Sequence, residues 1–318
     1  MLSRKLMERF TKDCKIPIKI YEPTEFIRRI ELYDKYYNSV EKWNAFYNLI
    51  TSKYPNEEAY FAEYNKTKDN AINFIKETEG YNVFNNLDMN AFAIQNKGFP
   101  SKDIFHPSNI GRRFISIDMK KANFNSLRYY DESIFDNAET WEDFLRLFTS
   151  IEYIVNSKYI REVILGNCNP KRHITYEKWL MDQVLTSILN QIDNDSIPLS
   201  VDNIVFFSND EIIVDITNLT ATETDNVYDA LDDIVSENPL PFRIEKFVLQ
   251  GIRKNNETII GYIRKLDNGE IDFKCVNSFT LPFIIRALNN EPVTDNDKMF
   301  EYEGSMAMLL DTPQIKIV

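Results

Sequence analysis

Three carboxylates stand at the ends of apolar, β-rich runs, where a pair of acids could hold a divalent cation. Asp118 lies near the end of Arg113-Phe114-Ile115-Ser116-Ile117-Asp118-Met119, and Asp210 and Glu211 lie between Asn203-Ile204-Val205-Phe206-Phe207 and Ile212-Ile213-Val214-Asp215-Ile216. Unpaired carboxylates brought close together repel, so such a cluster asks for a cation. Oxygen ligands without His or Cys favour Mg2+ or Mn2+, and ions of that kind serve phosphoryl and nucleotidyl transfer. Lys171, Arg172 and Lys178 are the cations expected to grip a triphosphate. Taken singly, each residue is ordinary. Asp118 could cap the next helix, the acid pair could be a solvated hairpin tip, and the lysines a solvated helix face. The reading rests on their joint placement.

The elements that would position these groups follow from periodicity. After the first β-rich run, Ala122 to Arg128 can be helical, and further helices are expected from about Thr140 to Val155 and from Tyr176 to Ile192. The last of these carries Leu180, Val184, Ile188 and Ile192 on one face, with Asn169-Pro170 leading into it. Two apolar strands then flank Ser208-Asn209-Asp210-Glu211, where Asn-Asp suits the positive φ values of a two-residue hairpin turn. Thr222 to Glu237 forms another amphipathic helix, Pro239 and Pro241 stop it, and Phe242 to Leu249 returns as a strand. Residues from about Arg112 to Arg253 thus read β-α-ββ-α-β. A ferredoxin-like sheet satisfies that order with right-handed crossovers, bringing Asp118 beside Asp210 and Glu211. Asp215, inside the second hairpin strand, is expected to face outward, and His173 to be incidental.

Around this domain, Glu22 to Thr78 has helical spacing, with Phe26, Ile30, Tyr33 and Tyr37 followed by Trp43, Phe46, Tyr47 and Ile50. Such aromatic stripes usually face a core, so packing is preferred over base stacking. Glu79 to Gly111 loses periodicity and reads as a linker or ordered loop. The expected division is a helical N-terminal module with linker over 1–100, an α+β domain over 101–253, and a C-terminal hairpin with a small mixed appendage over 254–318.

With 43% hydrophobic and 27% charged residues the chain should fold, and its net charge of −12 argues against a non-specific nucleic-acid coat while leaving room for a local basic groove. Cys14, Cys168 and Cys275 lie far apart, with only His106 and His173 as imidazole partners, which argues against a zinc site or disulfide framework. The mixed charges of the first residues and the lack of a long apolar run predict an intracellular, cytoplasmic protein with no membrane partner. The Asn- and Lys-rich, Gly-poor composition fits an AT-rich source such as a virus or phage.

The run Ser116-Ile117-Asp118-Met119-Lys120-Lys121-Ala122-Asn123-Phe124-Asn125-Ser126-Leu127-Arg128 resembles the first palm motif of template-directed nucleic-acid polymerases. Asn209-Asp210-Glu211-Ile212-Ile213-Val214-Asp215 is similar to the third palm motif of the family A DNA polymerases, and Leu240-Pro241-Phe242-Arg243-Ile244-Glu245 resembles the strand that comes after that motif in the family. The resemblance implies that Asp118 and Asp210 bind metal and that Glu211 neighbours the primer end. It further implies that Asn123 senses the sugar and that the turns reaching Arg128 hold the incoming nucleotide. DNA or RNA, nucleoside triphosphates and further polymerase subunits are the implied partners. The sequence departs from the family in two motifs. Asn209 replaces the usual His, and the Arg-x3-Lys-x6-Tyr-Gly helix is absent, with Lys171, Arg172 and Lys178 in that interval. There is also no room for an exonuclease domain or full thumb. The expected activity is a reduced polymerase-type nucleotidyltransferase; the alternative is an inactive palm relative that binds nucleic acid or a subunit.

Overall fold

The computed structural model describes residues 2–101 and 104–318. Five helices lead: α1 (Arg4–Asp13), α2 (Pro23–Tyr37), α3 (Ser39–Lys53), α4 (Glu57–Glu77) and α5 (Glu79–Asn86). Strand β1 (Arg113–Met119) follows, then α6 (Ala122–Tyr130), α7 (Trp141–Arg146), α8 (Glu152–Val155), α9 (Lys158–Gly166) and the long α10 (Pro170–Asp193). The hairpin β2 (Ile204–Phe207) and β3 (Glu211–Asp215) precedes α11 (Ala221–Ser236) and β4 (Phe242–Lys254). The chain ends with β5 (Thr258–Leu266), β6 (Ile271–Lys274), α12 (Leu281–Asn289), β7 (Met299–Tyr302), β8 (Ser305–Met308) and β9 (Ile315–Ile317).

This is an α+β fold around one antiparallel sheet of order β2-β3-β1-β4-β5-β6, with β9 also paired to β4. Side chains alternate across a strand. Ile115, Ile117 and Met119 of β1, with Ile212 and Val214 of β3, therefore join the main core that the helices build. Phe114, Ile213, Phe247 and Leu249 point to the other face, where Ile104, Phe105 and Ile110 cover them. Gly251 is required where this covering segment and the C-terminus cross β4. A Cβ there would lie 2.4 Å from Ile110 Cδ1 and 3.2 Å from Val318 Cγ2.

Several expectations change. Residues 79–111 contain α5, and α1 and α9 are helices that periodicity did not single out. The helix expected over 140–155 breaks into α7 and α8. The boundary expected at 253 falls inside β4, because β4 continues to Lys254 and pairs with β5 from Phe247 onward. The N-terminal helices share the main core with the sheet: Phe10, Phe26 and Phe46 belong to the same apolar cluster as Ile115 and Val214. Asp215 is buried at 5% exposure, ion-paired to Arg112 rather than facing outward.

Candidate active site

The register of β1 sets the first acid. Asp118 lies opposite Glu211 on β3 and Arg243 on β4. The hairpin tip is stitched to the end of β1, where Met119 N–H donates to the Asp210 carbonyl oxygen at 2.8 Å. The turn itself is not the one expected from Asn-Asp. Neither Asn209 nor Asp210 has positive φ. Instead Ser208 Oγ accepts from the Glu211 N–H at 3.1 Å and the Asp210 N–H at 3.4 Å, and donates to Asp210 Oδ1 at 3.1 Å. A hydroxyl satisfying two successive backbone donors does the work that a left-handed residue does in tighter hairpins.

Asp118, Asp210 and Asn123 come together on the floor of a cavity of about 410 Å3. One wall is α10, which presents Pro170, His173, Ile174 and Glu177. α9 contributes Lys158, Arg161 and Glu162, and Lys121 also lines the space.

Burial pushes the Asp118 carboxyl above its ordinary range; the Arg243 guanidinium, 3.1 Å away, opposes the shift, while Glu211 and Asp210 add to it. Asp210 is raised in the same way by burial and by Glu211, against the Ser208 hydrogen bond and the Lys158 charge. Glu177 is pushed up to about 7, chiefly by burial; Asn209 Nδ2, donating to its Oε2 at 3.0 Å, opposes the shift and the Asp210 charge adds to it. On α9, burial lowers the pKa of Arg161 against the charges of Glu142 and Glu162, and its Nε has no hydrogen-bond partner. His173 is held near 4 by burial, so it lines the cavity as a neutral ring.

The cavity gathers Asp118, Asp210 and Asn123, but not the other expected residues. Glu211 turns along the sheet, accepting from Ser116 Oγ at 2.6 Å and Arg264 Nη1 at 3.0 Å. Arg128 Nε donates to the Ala138 carbonyl at 2.8 Å and so holds a loop. Arg172 donates to the Phe84 and Leu87 carbonyls, tying α10 to α5. Lys178 sits over the Phe207 ring at 5.3 Å, and Lys171 is exposed outside the cavity lining. The buried stripe of Leu180, Val184, Leu185 and Ile188 fixes the rotation of α10. That rotation aims Pro170, His173, Ile174 and Glu177 at the floor.

Apart from Lys121, which pairs with Glu142, the cavity's cations come from α9, a helix the sequence does not single out. A signal was present: Ser157 caps Ile160 N–H, Ile160 and Ile164 are buried, and Lys158 and Arg161 fall three apart on the other side.

Among the described residues no group of three or more His, Cys, Asp or Glu is arranged to hold a metal ion, and no helix is long and apolar enough to cross a membrane. Of the four carboxylates that line the cavity, Asp118 and Asp210 are those at the strand ends, and they could hold one. Two hard oxygen donors fit Mg2+, which keeps waters and takes substrate phosphate oxygens rather than filling a cage of side chains. Comparison with family models, curated proteins and solved structures finds no match to this chain.

Proposed function

We propose that this chain is a palm-type nucleotidyltransferase that joins a nucleoside triphosphate to a nucleic-acid 3′ end. The observation that carries the reading is the cavity itself, whose lining holds Asp118 and Asp210 together with Arg161, whose Nε has no hydrogen-bond partner, and the exposed Lys158, whose charge acts on Asp210. Acids and cations lining one cavity suit a ligand that brings both metal ions and phosphates. The strand order β2-β3-β1-β4, with β1 between the hairpin and the last strand, supports a ferredoxin-like palm.

In the proposed reaction the 3′-hydroxyl oxygen forms a bond to the α-phosphorus, the bond to the bridging oxygen breaks, and pyrophosphate leaves with that electron pair. The hydroxyl proton passes to solvent. Divalent ions held by Asp118 and Asp210 would make the hydroxyl more acidic and neutralise charge on the leaving phosphates. Arg161 and Lys158 bind the polyphosphate, and Asn123 stands on the floor in position to meet the sugar. Ile174, 50% exposed on α10, offers an apolar surface to a base. A cation bound at Asp118 would take the place of the Arg243 ion pair.

The second reading, a non-catalytic palm relative that binds nucleic acid or a partner subunit, draws on that same ion pair, which neutralises Asp118 without metal. Thermal melting separates the two. The enzyme reading expects a nucleoside triphosphate to raise the melting temperature only when Mg2+ or Mn2+ is present, whereas indifference to both ligands favours the binding reading.

A further inference from the structure

We propose that the end of α1 and the residues after it, Arg9 to Lys15, brace α9 from behind, with Asp13 as the positioning residue that holds the cavity's cationic wall. This deepens the nucleotide-site reading and rests on it. A helix of nine residues is not stable alone, so where α9 lies is decided by what grips it.

The grip comes from three residues. Asp13 is buried at 4% exposure, and its Oδ1 accepts from Ser157 Oγ at 3.0 Å and from Tyr64 Oη at 3.2 Å. Ser157 Oγ in turn accepts from Ile160 N–H at 3.2 Å, so the helix cap is itself fastened to α1. Arg9 places its guanidinium 5.1 Å from the Tyr159 ring centroid and 4.6 Å from that of Tyr64. Lys15 pairs with Glu162 and lies 5.4 Å from the Tyr159 ring.

Ser157 and Tyr159, which do not line the cavity, are thus gripped by Asp13, Arg9 and Lys15, and Lys15 also holds Glu162, which lines the cavity together with Lys158, Arg161 and Leu165. Asp13 Oδ2 has no hydrogen-bond partner, and burial pushes the carboxyl up to about 6 against the Arg9 charge, 3.7 Å from Oδ1, and the Ser157 and Tyr64 hydrogen bonds, so holding the acid here carries a desolvation cost. Its place is explained by what it holds.

The test is amide hydrogen exchange across residues 158–166, together with KM and kcat for nucleotide incorporation in Mg2+, on full-length protein. Asp13→Ala should speed exchange in that segment and raise the nucleotide KM about tenfold while leaving kcat near wild type, because the lost contact orients a charged binding group. Asp13→Asn, which keeps an oxygen for Ser157, should restore both. Lys15→Glu changes a solvent-accessible side chain, so it should move both readouts in the same direction without threatening the fold. Unchanged exchange in Asp13→Ala and Lys15→Glu overturns the brace. If the wild type neither incorporates nucleotide nor shows a Mg2+-dependent nucleotide shift, the nucleotide reading fails, and the exchange result still decides whether α1 braces α9.

Discussion

Asp297, in the turn before β7, and Asp118, at the end of β1, are both faced by arginine, yet their surroundings differ in kind. Asp297 is 2% exposed and accepts from Arg286 Nε at 3.1 Å, Thr294 N–H at 2.7 Å and Thr294 Oγ1 at 2.9 Å, with Arg29 at 3.5 Å. Two cations and a backbone donor leave it nothing to bind. Asp118 has one arginine, itself exposed, and two acids, Glu211 and Asp210, that raise its pKa. An acid satisfied on every side fastens elements together, whereas an acid left among other acids on a cavity floor stores repulsion that a cation can relieve.

Substitution should separate the two kinds of acid. Asp118→Asn and Asp210→Asn are each expected to abolish incorporation while the melting temperature holds or rises, since repulsion is removed; an assay paired with thermal melting checks this. Asp297→Ala should do the reverse. It takes a carboxylate from Arg29, which keeps the Asn296, Asp297 and Met299 carbonyls, and from Arg286, which keeps Glu291, and should lower stability by about 1.5–3 kcal/mol in denaturant titration, with the nucleotide KM of the folded fraction unchanged.

The cations divide in the same way. Arg161→Ala should weaken nucleotide binding by about 1.5–3 kcal/mol, the worth of a hydrogen bond to a charged group, whereas Lys171→Ala should stay within about 0.5 kcal/mol of wild type. Equal effects of the two, read as KM, would place the phosphate grip elsewhere.

That contrast also marks where the sequence misleads. Lys171 and Lys178 share a helical face by spacing, but the direction of that face depends on which stripe of α10 is buried, and the stripe turns Lys178 onto Phe207. Lys158 and Arg161 lie on a helix too short for its period to stand out, positioned by contacts with α1 far away in the chain. The Asn-Asp pair suggests a backbone turn type that Ser208 makes unnecessary. The strand continues beyond Leu249 unannounced, because Gln250, Arg253 and Lys254 hide the β pattern. By contrast, the apolar runs of β1, β2 and β3 can be read directly, because each is bounded by polar residues, and they carry Asp118 and Asp210 to adjacent strand ends. The features left open by the sequence depend on rotations and distant packing.

A further expected effect is one of pH. The Glu177 carboxyl lies at about 7 in the folded chain against an ordinary 4.5, so it binds its proton more tightly folded than unfolded. The stability this confers is fully present below about 4.5 and is lost as pH rises through about 7, on the order of 3 kcal/mol in all. Glu177→Gln should flatten that slope in melting curves taken across the same window. An unaltered slope would assign it to another group.

The most direct measurement is extension of a primed template by wild type and Asp210→Asn side by side, with labelled nucleotides and Mg2+ or Mn2+. The account predicts product from the wild type with either metal and none from the variant at a melting temperature no lower than that of the wild type; equal extension by both would contradict it.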